Sequence, residues 1–474
     1  MSPEEFRQFG HQLIDWITDF HAGAGARPVM AAVAPGAVKA LLPQEAPIEP
    51  EPMDVVLRDF ATIVPPGLTD WQNPRFFGYF PSNALPAGML GDMLATGLGV
   101  LGLTWQSSPA VTEIEEVVTD WVRRMVGLSD EWSGVIQDTA STNTLVALLC
   151  AREVATNYGL ARGGLQGYGR PLSIYLSAHS HSSVEKAALL AGFGRENLRF
   201  VPLDETYAMR ADAFEALVAA DLARGIQPCA LVATIGTTAT TAVDPLAALA
   251  PITARANMWL HVDAAMGGSA MILPECRPLW QGIESANSLV INAHKWLGAP
   301  FDCSLYYVRE PEQLVRVMST NPSFLQSSVD GQVKNLRDWG IPLGRRFRAL
   351  KLWFMIREQG VAGLQARLRR DIANARHLAD LVRAAPGWEV LAPVAFQTVC
   401  IRHNPGLAGE ALDRHTLAWV EKINRSGAAY LTPAVLDGRW MVRISVGALT
   451  TEVHHVEQAW QAIRAAAESV AARI

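Results

Sequence analysis

None of the five cysteines, at positions 150, 229, 276, 303 and 400, belongs to a CxxC pair. Thiols scattered in this way argue against a disulfide framework or a cysteine zinc site and suggest a reducing, cytoplasmic setting. Histidine spacings that bind metal are missing too: His179 with His181, and His454 with His455, have no HExxH or cysteine partners. No apolar run is long enough to span a bilayer, since the least polar stretch, residues 93–105, is short and glycine-rich. The acidic opening SPEEFRQFG lacks the basic-then-apolar order of a secretory leader. Nor does either charge dominate: 40 Lys and Arg against 46 Asp and Glu leave a formal charge of −6, which argues against nucleic acid or an anionic membrane as partner. Internal repeats and low-complexity tracts are absent as well. The expectation is a soluble protein of 474 residues, half of them hydrophobic and enough for a sizeable core.

What is present has an order. Ser2 and Glu5 make a capping-box pattern, and Phe6, Phe9, Leu13, Ile17 and Phe20 then fall on one helical face. Residues 28–52 carry six prolines and little periodicity, so they read as an extended arm. A one-faced helix followed by such an arm suggests docking on another subunit. From about residue 135, apolar runs (LSIYLSA, LRFVPL, CALVATIG, WLHVDAA, SLVINA, CSLYYV) alternate with helical patterns at 210–224 and 245–256. That alternation predicts an α/β fold with a mostly parallel sheet, whose ligands bind beyond the carboxyl ends of the strands. A long helical region, 344–384, follows; most of its arginines (345, 346, 348, 367, 369, 370) read as solvated helix faces. The last 90 or so residues mix strands with two amphipathic helices, a small α+β unit. The expected divisions are 1–85 (N-terminal helical and extended arm), 86–360 (large domain) and 361–474 (small domain).

Three stretches carry chemistry. In SLVINAHKWLGA (288–299), Lys295 follows a strand and sits among apolar neighbours. It reads either as a snorkelling lysine or as a desolvated amine able to form a Schiff base. WLHVDAAMGG (259–268) places Asp263 at a buried strand end, where a carboxylate needs a cation or several donors, or caps the next turn. DTASTNTLVALLCAREVA (138–155) leads small hydroxyl residues into a strong helix, which is a phosphate site or an ordinary N-cap. By contrast, GLGVLG (97–102) matches GxGxxG but is followed by LTWQSSP, not by a helix. An amine, a carboxylate and a phosphate cradle beside strand ends of one sheet are together what pyridoxal 5'-phosphate requires. A histidine able to stack on its ring is available in AHSHSSVEKA.

The sequence also resembles a known family, the PLP-dependent aromatic L-amino-acid decarboxylases. The likeness runs through NPRFFGYFPSN (73–83), SSPAVTEIE (107–115), HSSVEKA (181–187), HVDAAMGGSA (261–270), NAHKW (292–296) and IPLGRRFRALKLWF (341–354). It implies a fold-type I enzyme that decarboxylates aromatic L-amino acids to amines, working as a homodimer with its sites at the subunit interface. By resemblance Lys295 is the Schiff-base lysine, Asp263 the partner of the pyridinium and His181 the stacking histidine. Ala140, Ser141, Asn292 and His294 are phosphate-side contacts, Thr238 lies near the ring, and Ala265 packs on the opposite face. Trp71, Tyr79, Phe80, Pro81 and Ser82 resemble the substrate-pocket wall, with Leu101 and Leu103 contributed by the partner. Arg443 lines the site, and Gly344, where some relatives carry serine, leaves room for an indole.

The departures are Met266 for a tyrosine, Ala293 for a proline, and Phe324 where the family's mobile loop (318–331 here) has a tyrosine. In the resembled family that tyrosine supplies or positions the proton of amine formation, as a general acid. By resemblance, its loss implies either an alternative product route, an aromatic aldehyde synthase consuming dioxygen, or amine formation with another donor such as His181 or a water. Two further readings, an aminotransferase of the same fold and a non-catalytic PLP-binding scaffold, stand against the decarboxylase motifs and the intact Lys295–Asp263–His181 set.

Overall fold

The computed structural model describes residues 1–320, 325–326 and 329–472, apart from the side chains at 160 and 161, so Phe324 lies outside the described residues. The chain divides into two compact units: Met1–Pro81 with Asn374–Leu391 and Cys400–Ile474, and Ser82–Ala373 with Ala392–Val399.

In the first unit the N-terminal segment folds as α1 (Pro3–Ala22), α2 (Ala37–Leu41) and α3 (Met53–Ile63). The capping box forms: Ser2 Oγ accepts the Glu5 N–H at 3.1 Å and Glu5 Oε2 accepts the Ser2 N–H at 2.7 Å. The apolar face of α1 is only partly covered. Trp16 stacks on Phe20 at 5.1 Å and meets Phe60 of α3 at 5.0 Å, while Phe6 and Leu13 remain exposed.

In the second unit the helices are α4 (Pro86–Gly97), α5 (Pro109–Val126), α6 (Ala140–Ala155), α7 (Ser182–Leu190), α8 (Ala211–Ala223), α9 (Leu246–Arg255), α10 (Pro311–Met318) and α11 (Arg348–Arg383, which ends in the first unit). The strands are β1 (Ser133–Gln137), β2 (Leu172–Ser177), β3 (Leu198–Val201), β4 (Gln227–Thr234), β5 (Trp259–Asp263), β6 (Ser288–Asn292) and β7 (Ser304–Val308). They form one sheet in the order β1-β7-β6-β5-β4-β2-β3. The pairings from β3 through β6 are parallel and β7 is antiparallel to both its neighbours, so the sheet is mostly parallel as expected. Strands β2, β5 and β6 are buried along their whole length, which is why they read as continuous apolar runs.

The rest of the first unit is β8 (Trp388–Val390), β9 (Thr398–His403), α12 (Gly409–Ser426), β10 (Thr432–Leu436), β11 (Arg439–Ser445) and α13 (Val453–Ala471). The strands form a sheet ordered β10-β11-β9-β8. Asp437 and Gly438 both have positive φ, 50° and 73°, and turn β10 into β11 as a two-residue hairpin.

Two of the arginines read as solvated are not. Arg345 is 3% exposed and pairs with the buried Glu115 at 2.9 Å, and Arg367 is 8% exposed. Proximity in sequence to other charges misled here, because the partners come from distant elements. Among the described residues, no helix is long and apolar enough to cross a membrane.

Candidate active site

Parallel pairing puts the carboxyl ends of β4, β5 and β6 at one edge of the sheet. Thr234 stands opposite Asp263, and Asp263 opposite Val290, two residues before the end of β6. Because β7 is antiparallel to both β1 and β6, β1 also ends at that edge, and α6 starts three residues later. The α7 N-terminus follows the end of β2 in the same way. The loops that carry Ala140, His181, Thr238, Ala265 and Lys295 therefore gather where such sheets bind ligands.

Asp263 is 5% exposed. Its Oδ1 accepts the Ala265 N–H at 3.0 Å and its carbonyl accepts the Ile235 N–H at 2.9 Å, so the neighbouring loops are tied to it. His181 caps α7: its Nδ1 accepts the Ser183 N–H at 3.2 Å and lies 2.7 Å from Ser183 Oγ. With Nδ1 an acceptor, the neutral ring carries its proton on Nε2. His181 is partly open to solvent in the single chain, yet the protein packed around it lowers its pKa from 6.5, chiefly by desolvation; Asp263 opposes that shift and Lys295 adds to it. The carboxylate and the amine therefore both lie within electrostatic reach of the imidazole.

Lys295 stands in a tight turn, Ala293–Leu297, that leaves helical geometry at the lysine itself. Two anchors hold the turn. Arg367 of α11 donates to the carbonyls of Trp296 at 2.9 Å and Leu297 at 2.7 Å, and Asp371 accepts the Trp296 indole N–H at 2.9 Å. Gly298 closes it at φ 98°, where a Cβ would come within 2.9 Å of Leu85, so no other residue fits without strain. His294 is buried, and its Nδ1 accepts the Cys303 N–H at 2.9 Å. Burial and then the neighbouring Lys295 push its pKa down to about 4, leaving a neutral ring.

The first turn of α6 has no acidic residue, and its N-cap Thr139 makes no side-chain capping bond. Its free N–H groups and helix dipole remain available to an anion. Ala140 is half-buried and Ser141 exposed; Asn292 and Ala265 are buried, and Thr238 is exposed. This donor set fits pyridoxal phosphate: an amine for the aldehyde, a buried carboxylate for the ring nitrogen and a helix N-terminus for the phosphate.

The residues expected in the pocket wall divide between the units. Trp71, Tyr79, Phe80, Pro81 and Arg443 belong to the first. There Trp71 stacks on Tyr79 (5.4 Å, 9°) and packs tilted against Phe76 (4.5 Å, 30°), and Phe76 stacks on Tyr430 (5.3 Å, 5°). The Tyr79 and Tyr430 hydroxyls are 3.3 Å apart. Arg443 is buried, donates to the Tyr79 carbonyl at 2.7 Å and lies 4.5 Å over the Phe80 ring, while its Nε and Nη2 have no partner among the described residues. Burial lowers its pKa to about 10. Ser82, Leu101, Leu103 and Gly344 belong to the second unit; Leu101 and Gly344 are exposed, and Leu103 is half-buried with its carbonyl accepting the Arg337 N–H at 2.9 Å.

Comparison with known proteins decides among the readings of this donor set. The family model described as "Pyridoxal-dependent decarboxylase conserved domain" matches residues 35–404. The chain belongs to the pyridoxal-dependent decarboxylase family. It is similar to a phenylacetaldehyde synthase of a Rosa hybrid cultivar (40% identity, covering 99% of this chain and 95% of the relative). It is equally similar to tryptophan decarboxylase 2 of Oryza sativa subsp. japonica (40%, 99% and 96%). A solved structure of an Oryza sativa TDC with PLP and tryptamine superimposes with a TM-score of 0.95 at 36% identity, covering 99% of both chains. As a family member this decarboxylase uses pyridoxal 5'-phosphate and is a carboxy-lyase. Sequence reading missed Tyr430, Phe76, Arg367 and Asp371. Only NPRFFGYF gave a signal for any of them, since its aromatic density foreshadows the stack that Tyr430 joins.

Proposed function

We propose that this decarboxylase acts on aromatic L-amino acids and releases the corresponding amines, as a fold-type I homodimer in the cytoplasm. The observation that carries the substrate class is the aromatic cluster of Trp71, Phe76, Tyr79 and Tyr430, with a buried arginine, Arg443, bonded to the Tyr79 carbonyl and carrying two nitrogens without a partner among the described residues. Flat, polarisable walls favour a flat aromatic side chain, and the two spare guanidinium nitrogens suit a carboxylate. The relatives named for tryptophan decarboxylation and for phenylacetaldehyde synthesis support the same class.

When bound, the cofactor supplies an aldehyde to hold the substrate amine and a ring to take up the electron pair left behind as carbon dioxide departs. The chain's own work is positioning and proton control. Asp263 would hold a proton on the cofactor's ring nitrogen, and Lys295 would hold its aldehyde and could exchange a proton with the substrate amine. His181, kept neutral with its proton on Nε2, would be the residue to stack on the ring, and the α6 N-terminus would hold the phosphate.

Phe324 supports a second reading. A phenylalanine has no proton to give where the family's loop tyrosine would supply one, so dioxygen could take up the two electrons left by decarboxylation and become hydrogen peroxide, while water would release the aldehyde and ammonia. Incubation with Trp, Phe, Tyr and DOPA, with amine, aldehyde and peroxide measured together, tests both. Amine without oxygen uptake supports the decarboxylase alone. Aldehyde with matching peroxide, shifted toward amine by Phe324→Tyr, supports the synthase. Turnover of none of the four acids would overturn the aromatic assignment.

Apolar surface supports the dimer. Leu90, Met93 and Leu94 on α4, and Leu98 and Leu101 beyond it, are each 45–58% exposed in the single chain. The five cysteines are buried and form no disulfide among the described residues, consistent with a reducing compartment.

A further inference from the structure

Beneath the first turn of α6 a polar chain crosses the sheet. Asn143 Nδ2 donates to Ser304 Oγ at 2.8 Å, and Ser304 Oγ donates to Asn292 Oδ1 at 2.5 Å. All three side chains are buried, at 0%, 0% and 3% exposure. The placement follows from topology. Asn292 and Ser304 are direct cross-strand partners on β6 and β7, while Asn143 hangs from the first turn of the helix that follows β1.

A hydroxyl has one proton to give, and with no third partner for Ser304 Oγ among the described residues the chain runs in one of two polarities. Either the protons run from Asn143 to Asn292, leaving Asn292 with a free NH₂ and Asn143 with an unmatched oxygen, or they run the other way and Asn292 presents an oxygen. The first arrangement is the one observed: Asn143 Oδ1 is buried without a partner, and Asn292 Nδ2 meets no acceptor among the described residues. Unlike Asn143 Oδ1, that nitrogen is not sealed from solvent, so its N–H groups open onto space where a ligand can accept them. The α6 N-terminus beside it has no side-chain cap and no acidic residue in its first turn, although Asp138 before the N-cap accepts the Thr139 N–H at 2.7 Å, so its free N–H groups suit an anion.

We propose that Ser304 and Asn143 are positioning residues that lock the Asn292 amide with its donors facing the cofactor's phosphate. Neither touches the cofactor. Their effect is to prevent the amide from turning its oxygen toward a dianion, which would replace an attraction by a repulsion. The inference rests on reading this end of the site as the phosphate end.

The test compares two cofactors that differ only in that phosphate. Full-length protein freed of cofactor is titrated with pyridoxal 5'-phosphate and with pyridoxal, following the absorbance of the lysine-bound form. Ser304→Ala is expected to weaken pyridoxal phosphate by about tenfold, the loss of one charge-assisted hydrogen bond, and to leave pyridoxal unchanged. Asn143→Ala takes the same measurement if Ser304→Ala does not fold. In an Asn292→Ala background, Ser304→Ala should add no further loss, since the hydroxyl acts only through that amide. Equal weakening for both cofactors, or for neither, overturns the relay. If Asn292→Ala itself leaves the preference for the phosphorylated cofactor intact, the reading of this end as the phosphate end is what fails.

Discussion

Asp263 keeps a carboxylate where the parallel strands end, almost out of solvent, and spends only one oxygen on a backbone N–H. Replacement by asparagine preserves that acceptor and removes the charge. Asp263→Asn is therefore expected to bind pyridoxal phosphate, seen by absorbance, while carbon dioxide release falls by about a hundredfold or more. Near-normal release would make Asp263 a structural residue. Lys295 is distinguished from other lysines by its place in a turn pinned by Arg367 and Asp371. Borohydride reduction should attach the cofactor to Lys295, and Lys295→Ala should abolish the adduct; a modified peptide containing Lys186 or Lys334 would refute this. His181 sets a pH limit. Its pKa is lowered from 6.5, chiefly by burial, so the ring is neutral at and above that value and becomes charged only in more acid solution. The acid limb of kcat/KM that it controls should lie below pH 6.5. A limb above that value, absent from a His181→Asn variant, would contradict the neutral ring.

In the small sheet, β9 and α12 meet through a pair of buried histidines. His403 Nδ1 lies 2.9 Å from His415 Nε2, and Trp388 packs on His403 at 4.7 Å. Burial lowers both pKa values from 6.5; the neighbouring His403 lowers that of His415 further, while Glu468 partly opposes the shift at His403. With both values depressed in the folded state, the unfolded chain binds protons first as pH falls through 6.5, and stability is lost below that point. Thermal scans from neutral to mildly acid pH should show a falling Tm, and His415→Leu should flatten the fall even if it lowers Tm at neutral pH. An unchanged slope would mean that the pair does not limit acid stability. The strands beside it also show what sequence reading can reach. WEVLAP, TVCIRH and WMVRISVG announce β8, β9 and β11 by their β-branched and aromatic residues. TPAVL and SGVIQ, which form β10 and β1, do not, because proline, glycine and a length of five residues give no clear period.

For the whole molecule, the exposed leucines of α4 and the loop after it are the surface a second copy would cover. Burying each half-exposed leucine contributes about 1–2 kcal/mol, so several together support a stable dimer. Leu94→Glu with Leu98→Glu should shift the sedimenting species from about twice the chain mass toward a single chain. A wild-type protein that sediments as a monomer would refute the dimer outright, and unchanged dimer mass in the variant would place its interface elsewhere.

The sequence by itself determined the groups that do the chemistry. A lysine after an apolar strand, an aspartate closing another and hydroxyls opening a helix are local patterns, each fixed by neighbours a few residues away, and their sum named the cofactor. The strand–helix alternation likewise determined the class of fold. Only the tertiary structure decided which side chains orient those groups. The reversed β7 brings Ser304 opposite Asn292, and α11 reaches back with Arg367 and Asp371 to hold the lysine's turn. Glu115 pairs with Arg345 across 230 residues, and Tyr430 joins a stack begun more than 350 residues earlier. Such partners leave no local period or spacing, because a buried polar group finds its match through strand order and helix docking, which chain neighbours do not encode.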